Sequence, residues 1–296
     1  MKKNCLLCFL LFFSCHSALA GESLDSLLNV LDKTIKEADT YVQIKENKLH
    51  ELKKEARKTP PFSVERYNLN NDIYLEYKAY SSDSALHYLN ENMLLARQLN
   101  DKERELKIQL ELSYLLSSIG MYMEAADILN SIDRQTLPSS LLGHYYTCYE
   151  HVYFEAGAAQ PRYKMFASRY VKLSHAYRDS MQITLDPSSA TYLWLRETQL
   201  REAGKYDEAL EFSDRRLAES SFGTPQYALV AYQRFRLFES MGKKDEHLYY
   251  LVLSAISDVR SAIKEQSSLM VLAQELNSKG DLKRAYDYIN FSWEIS

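Results

Sequence analysis

His144, Cys148, His151 and Glu155 follow one another at steps of four, three and four, which places them on one face of a helix. Two imidazoles and a thiolate are donor types that zinc accepts. A single helix presents its donors in a row, however, and a tetrahedral ion needs them from several directions. The plainer reading makes Cys148 a small buried residue with the histidines on the exposed flank, and no metal is expected. The chain carries no nucleophile elbow, no phosphate-cradling Gly loop and no zinc-protease helix. Its carboxylates form no spaced acid–base pair recognisable in the sequence. No enzyme and no cofactor are expected.

The other chemically notable residues are the 23 tyrosines. Tyr145, Tyr149 and Tyr153 recur at four-residue steps, and Tyr67, Tyr74 and Tyr77 fall on one helix. Such series serve helix packing, with the hydroxyl reaching water. They also serve binding surfaces, where Tyr supplies area and a hydrogen bond at low entropic cost.

The elements that must hold these residues are helical. Only 8 Gly and 6 Pro occur, too few for a sandwich, a barrel or a doubly wound α/β fold. Gly120-Met-Tyr122-x-x-Ala125 returns as Gly204-Lys-Tyr206-x-x-Ala209 and, more loosely, as Gly280-Asp-Leu282-x-x-Ala285. Gly242 and Gly157 sit at the matching point of weaker copies, and Tyr80 takes the Gly place before Asp83-Ser-Ala85. A period of about forty residues with a Gly turn between two helical patterns marks a helical-hairpin solenoid. Gly permits the left-handed turn and Ala the close approach of the two helices. The prediction is an all-α array of about six hairpins over residues 62–296. Pro138, Pro187 and Pro225 fall between hairpins, and a long second helix from Arg162 to Leu185 explains the widest interval, Gly157 to Gly204.

The Gly-x-Tyr-x-x-Ala core resembles the tetratricopeptide repeat. In such arrays the first helix of each hairpin lines a concave groove, through positions roughly three, six, ten and thirteen residues before the turn. Carried over, those offsets imply a peptide groove of Tyr67, Tyr74, Tyr77, Tyr114, His144, His151, Trp194, Arg201, Tyr232 and Arg236. Asn70, Lys107, Thr147, Phe154, Thr198, Gln274 and Asn277 fall at the same offsets. The surface so selected is aromatic and amide-rich, as peptide grooves are. An oligosaccharide stacking on Tyr and Trp is a variant of the same reading.

A narrower resemblance covers nearly the whole chain. The succession LDSLLNVLDKTI, YVQIKENKLHELKK, SSDSALHYL, SSIGMYMEAADILNSID, GKYDEALEFSDRRL, LSAISDVRSAIK and GDLKRAYDYINFS is similar to the membrane-anchored, tetratricopeptide-bearing transcriptional regulators of Bacteroides-type bacteria. That resemblance implies a periplasmic array followed by a transmembrane helix and a cytoplasmic part acting on transcription. Ile289, Phe291 and Trp293 would then lie exposed on an unfinished stack with no capping helix, so a truncated chain is expected, with membrane contact only through the missing C-terminal part.

Upstream of the array, Leu24, Leu28, Leu31, Ile35, Ala38, Val42, Leu49, Leu52 and Ala56 form a heptad-like seam. Residues 21–61 are predicted to hold one long amphipathic helix, stopped by Pro60-Pro61. The seam either lies on the following array or pairs with a second copy as a homodimer. Residues 1–20 have the form of a signal peptide: Lys2 and Lys3, the apolar run Leu6–Phe13, and Ala18-Leu19-Ala20 before Gly21. Cleavage after Ala20 is favoured over acylation of Cys15, because Phe12 and Phe13 are bulky for a lipoprotein signal. Processing removes three of the four cysteines, so no internal disulfide can form. It leaves 34 basic against 40 acidic residues, a balance unsuited to nucleic acid. The expected protein is an exported, periplasmic, non-catalytic interaction and sensing module that takes a protein or peptide; an envelope scaffold is the alternative.

Overall fold

The computed structural model describes residues 23–159, 162–264 and 267–295. The signal segment and its processing site lie outside the described residues. Every regular element among those described is helical. From Val64 onward the helices pair as hairpins: α3 (Val64–Tyr77) with α4 (Ser82–Gln98), α5 (Lys102–Ser118) with α6 (Tyr122–Ser131), and α7 (Ser139–Ala158) with α8 (Lys164–Thr184). They continue as α9 (Ala190–Glu202) with α10 (Tyr206–Ala218), α11 (Pro225–Ser240) with α12 (Lys244–Arg260), and α13 (Ser267–Ser278) with α14 (Leu282–Ile295). Each hairpin leans on the next, which makes the chain a tetratricopeptide-like solenoid.

Local sequence explains the punctuation. Ser63, Ser81, Asp101, Ser189 and Thr224 each accept a hydrogen bond from a backbone N–H in the first turn of the helix they precede. At Gly120 the backbone takes φ +87° and the Met121 N–H donates to the Leu116 carbonyl at 2.9 Å, a Schellman-type stop. Nothing lies within 4 Å of where a Cβ would stand, so the left-handed conformation, not space, requires glycine there. Gly157 is different, and its assignment to a turn is corrected: it lies inside α7, buried and helical. A Cβ there would come within 3.3 Å of the Tyr170 Cβ, so this glycine lets α7 and α8 approach closely.

The N-terminal segment is two helices, not one. α1 (Leu24–Lys36) and α2 (Ala38–Lys58) are separated at Glu37, where φ −97° and ψ 9° leave the helical region. The break has a packing cause: α1 lies along α12, whereas α2 turns onto α3. Leu27, Leu28 and Leu31 are buried in the core cluster around α12, and Leu49 and Ala56 in that around α3. Fully burying a leucine stabilises by roughly 1.5–3 kcal/mol, so this stretch of the seam is occupied within the chain and is not free to pair with a second copy.

These two helices close the array on itself. Asp32 of α1 accepts from Arg284 Nε at 3.0 Å and from the Tyr288 hydroxyl at 2.7 Å, both on α14. On α2, Glu46 accepts from the Tyr80 hydroxyl, and Lys45 and Lys48 pair with Glu76. The Lys264 N–H donates to the Ala79 carbonyl at 3.4 Å, joining the α12–α13 loop to the α3–α4 turn. The C-terminal hairpin therefore has α1 on one side as well as α13's neighbour α12 on the other. Phe291 is half-buried, while Ile289 and Trp293 are exposed.

The core changes character along the array. Between the third and fourth hairpins, Leu195 and Trp194 of α9 join the apolar core of α7 and α8, beside a buried polar network in which Arg178 of α8 donates to Glu150 of α7 at 2.8 Å and to Glu202 of α9 at 3.0 Å. Arg216 and Glu197 form a second buried pair between α10 and α9.

Candidate functional site

The first helices of three consecutive hairpins bring one polar and aromatic cluster together. From the α3 end come Tyr74 and Lys78, from α5 Glu111, Tyr114 and Ser118, and from α7 His144 and His151. The Tyr74 hydroxyl donates to Glu111 Oε2 at 2.7 Å, and Lys78 Nζ donates to the same oxygen at 3.2 Å. His144 Nε2 stands 3.6 Å from Glu111 Oε1. Lys78 Nζ also lies 4.5 Å from the centre of the Tyr114 ring. Tyr114 in turn stacks on His151, with centroids 3.9 Å apart and planes 9° from parallel.

The electrostatics follow from this half-buried setting. Burial alone would raise the Glu111 carboxyl, but Lys78, His144 and the Tyr74 hydroxyl outweigh it and hold it below the usual carboxylate range. Burial, with Lys78 adding to it, pushes His151 down to about 4, so its imidazole is neutral near pH 7. His144 is also lowered by burial, against the pull of Glu111. The cluster thus presents a neutral imidazole flat on a phenol, bordered by an ammonium–carboxylate pair.

The groups around His151 are not arranged as a proton relay. Ser118 Oγ lies 2.9 Å from His151 Nε2, and His151 Nδ1 lies 3.9 Å from Glu155. A serine–histidine–carboxylate relay would need the hydroxyl to give its proton to the ring. Ser118 instead donates to the Tyr114 carbonyl at 3.0 Å, which leaves the imidazole N–H to donate to the hydroxyl. Cys148 is sealed in the core with its thiol turned to the Leu110 carbonyl, and burial raises its pKa. Among the described residues no three His, Cys, Asp or Glu side chains are placed to hold a metal ion.

The structure separates the ten sequence-selected groove residues. Tyr114, His144 and His151 share the cluster, half-buried. Tyr67, Tyr74 and Tyr77 do not line an open surface: they are 6%, 0% and 6% exposed, and only the Tyr74 hydroxyl reaches the cluster. Tyr67 and Tyr74 face α5, with Arg104 over the Tyr67 ring, whereas α2 covers Tyr77. Lys53 Nζ donates to the Tyr77 hydroxyl at 2.6 Å, and the Tyr77 ring stacks between Tyr80 and Tyr88. Trp194 packs half-buried on the same core as Tyr114, while Tyr232 packs on the core around α12. Arg201 is half-buried near the Glu197 carboxyl, and Arg236 is exposed and paired with Glu239 at 3.3 Å. Of the residues at the same offsets, Asn70 and Thr198 are buried.

Lys78, Glu111 and Ser118 were not selected by sequence. Glu111 stands three residues before Tyr114 on one helix face, a spacing that could have revealed it. Lys78 lies in a turn without glycine, where the offsets give no guide. A shallow groove of ≈350 Å³ between α4, α5 and α6, lined by Met93, Leu94, Arg97 and Ile128 among others, contains none of the selected residues.

No curated protein matches the chain significantly. A family model described as the SusR N-terminal TPR (tetratricopeptide) domain matches residues 35–296, a span that includes α2 and all six hairpins. The closed helical array described above thus belongs to the SusR N-terminal TPR domain family.

Proposed function

We propose that this chain is the exported, periplasmic sensing part of a signalling protein, non-catalytic, taking a peptide or protein on the face formed by α3, α5 and α7. The observation that carries this reading is the cluster of Lys78, Glu111, Tyr114, His144 and His151. Three hairpins contribute to it, so an occupant that bridges them couples to the curvature of the array. The polar contact through Arg178, Glu150 and Glu202 is the place where curvature can change, because its partners can exchange protein contacts for water. Family membership supports an interaction role, since tetratricopeptide arrays are protein-interaction folds. Among the described residues no helix is long and apolar enough to cross a membrane, so output to a cytoplasmic regulator would run through a segment outside them.

A photo-crosslinking side chain at position 114 or 144, compared with one at the exposed Ile183 on α8, tests the site in cells. Adducts with a discrete envelope protein or peptide at 114 and 144 but not at 183, lost on Lys78→Ala, support it. Adducts at all three positions, or at none, overturn the site. Mass spectrometry of the exported chain should give Gly21 as its first residue. Retention of residues 1–20 would overturn the periplasmic assignment.

A further inference from the structure

We propose that the start of α8, residues 162–172, together with the α5–α6 turn beside it, docks on the surface of a bilayer rich in anionic lipid. Tyr163, Met165 and Phe166 are 63%, 75% and 48% exposed. Four solvent-facing cations surround them, Arg162, Lys164, Arg169 and Lys172, and no acid occurs from Arg162 to Arg178. This in a chain whose net charge is −4.

The hairpin register makes this end protrude. Gly157 faces Ala167, Tyr170 and Val171 across the α7–α8 contact, and α7 stops at Ala158, so the first turn of α8 runs past the end of its partner. The α5–α6 turn stands at the same end of the array, held by Ser118 against His151 in the last turns of α7. It adds Met121 and Met123, 40% and 78% exposed. Acids at that end of the array include Glu124, Glu155, which is turned toward His151, and Glu202, which is paired with Arg178.

The start of α8, like that of α7, lacks both an acid in its first turn and a side-chain cap. By contrast, α10 opens with Asp207 and Glu208, and α12 with Asp245 and Glu246. Cations at the positive end of a helix dipole are unfavourable, and the first N–H groups need acceptors. A lipid phosphate supplies both the charge and the acceptor. Aromatic and Met side chains projecting beside Lys and Arg match the interfacial region of a bilayer, where apolar groups insert and the cations meet headgroups. Because these side chains project from a rim and do not line a groove, they suit a yielding surface better than a rigid partner.

The apolar run Leu6–Phe13 can itself bind lipid, so the test reads a local signal. Amide exchange of the full chain is compared with phosphatidylglycerol-containing vesicles, with pure phosphatidylcholine vesicles, and without lipid. Protection of residues 162–172 by the anionic vesicles alone, with 206–218 unchanged, is expected. Arg169→Gln and Lys172→Gln should each weaken the lipid dependence of that protection about fivefold. Met165→Ser with Phe166→Ser should weaken it without changing its salt sensitivity. Equal protection by both vesicle types, or none in this segment, would overturn the proposal. Protection by polyglutamate but not by vesicles would overturn it in favour of an acidic protein partner.

Discussion

Helices α8 and α12 are both the second helix of a hairpin, with 21 and 17 residues. α12 is buried without a break from Leu251 to Val259, whereas α8 buries only Ser174, Arg178 and Met181. Neighbours explain the difference. α12 is enclosed by α11, α13, α1 and α2, while α8 has α7 along one side and touches α9 only at its polar end. A helix apolar nearly all round is one that other elements surround. In a solenoid most helices meet only their sequence neighbours; here the N-terminal pair adds a long-range contact that turns one hairpin into a core and leaves another as an edge.

The largest expected effect follows from that contrast. Leu251→Ala in α12 removes a fully buried side chain, and the surrounding helices cannot all collapse into the space, so urea melts should show a loss of about 4 kcal/mol. Val171→Ala in α8, at a position 44% exposed, should cost no more than about 0.5 kcal/mol. Similar losses at both sites would mean that α8 is covered in solution.

A pH dependence sharpens the same point. Asp258 sits in the buried run of α12, and burial raises its carboxyl to about 7 although the Ser268 hydroxyl donates to it. The folded chain then holds a proton between about pH 4 and pH 7 that the unfolded chain releases. This contribution is full below about pH 4, is lost as pH rises through about 7, and amounts to a change on the order of 4 kcal/mol. Asp258→Asn, neutral at every pH, should flatten that slope. A slope unchanged in the variant would assign it to another group.

The hairpins were legible because their signals are local. The left-handed Gly at 120, 204 and 280, each with Ala five residues on, and Gly242 without one, all mark turns and all have positive φ. Closure was not legible, because it depends on residues some 250 apart, as in Asp32 with Arg284, and no periodicity encodes which surface a stripe will meet. The stripe of residues 24–56 was visible. Its division between α12 and α3, with the break at Glu37, was not. The same contact explains part of the failure at the site. Tyr114 was found from its place before the Gly120 turn and His151 from Gly157, which lies inside α7, but Tyr77 became core because α2 lies over it and Tyr67 because it faces α5.

Closure itself gives the next prediction. Asp32→Ala removes the acceptor of both Arg284 and the Tyr288 hydroxyl. The Asp32–Arg284 pair is partly exposed, so solvent screening limits the loss to about 1 kcal/mol. Its location is more informative than its size. Amides of residues 282–295 should exchange faster while those of 106–118 stay as they were, because stability in such arrays is shared between adjacent elements. Faster exchange everywhere would mean that α1 holds the whole array and not only its end.

The smallest effect is the control on the comparison. Ile183 is 85% exposed and Met165 75% exposed, on the outer face of α8. Neither side chain loses much water on folding, so Ile183→Ser and Met165→Ser remove little apolar burial and leave no cavity. Both should melt within about 0.5 kcal/mol of the parent chain. The two differ in what stands around them. Met165 lies among Arg162, Lys164, Arg169 and Lys172, whereas Ile183 is four residues past Asp179 on the same helix. If the edge formed by α8 has a use beyond folding, Met165→Ser should change lipid-dependent protection at equal stability and Ile183→Ser should not. Matching losses of stability in both variants would show that this face packs against something, and α8 would then be a second enclosed helix and no longer the open counterpart of α12.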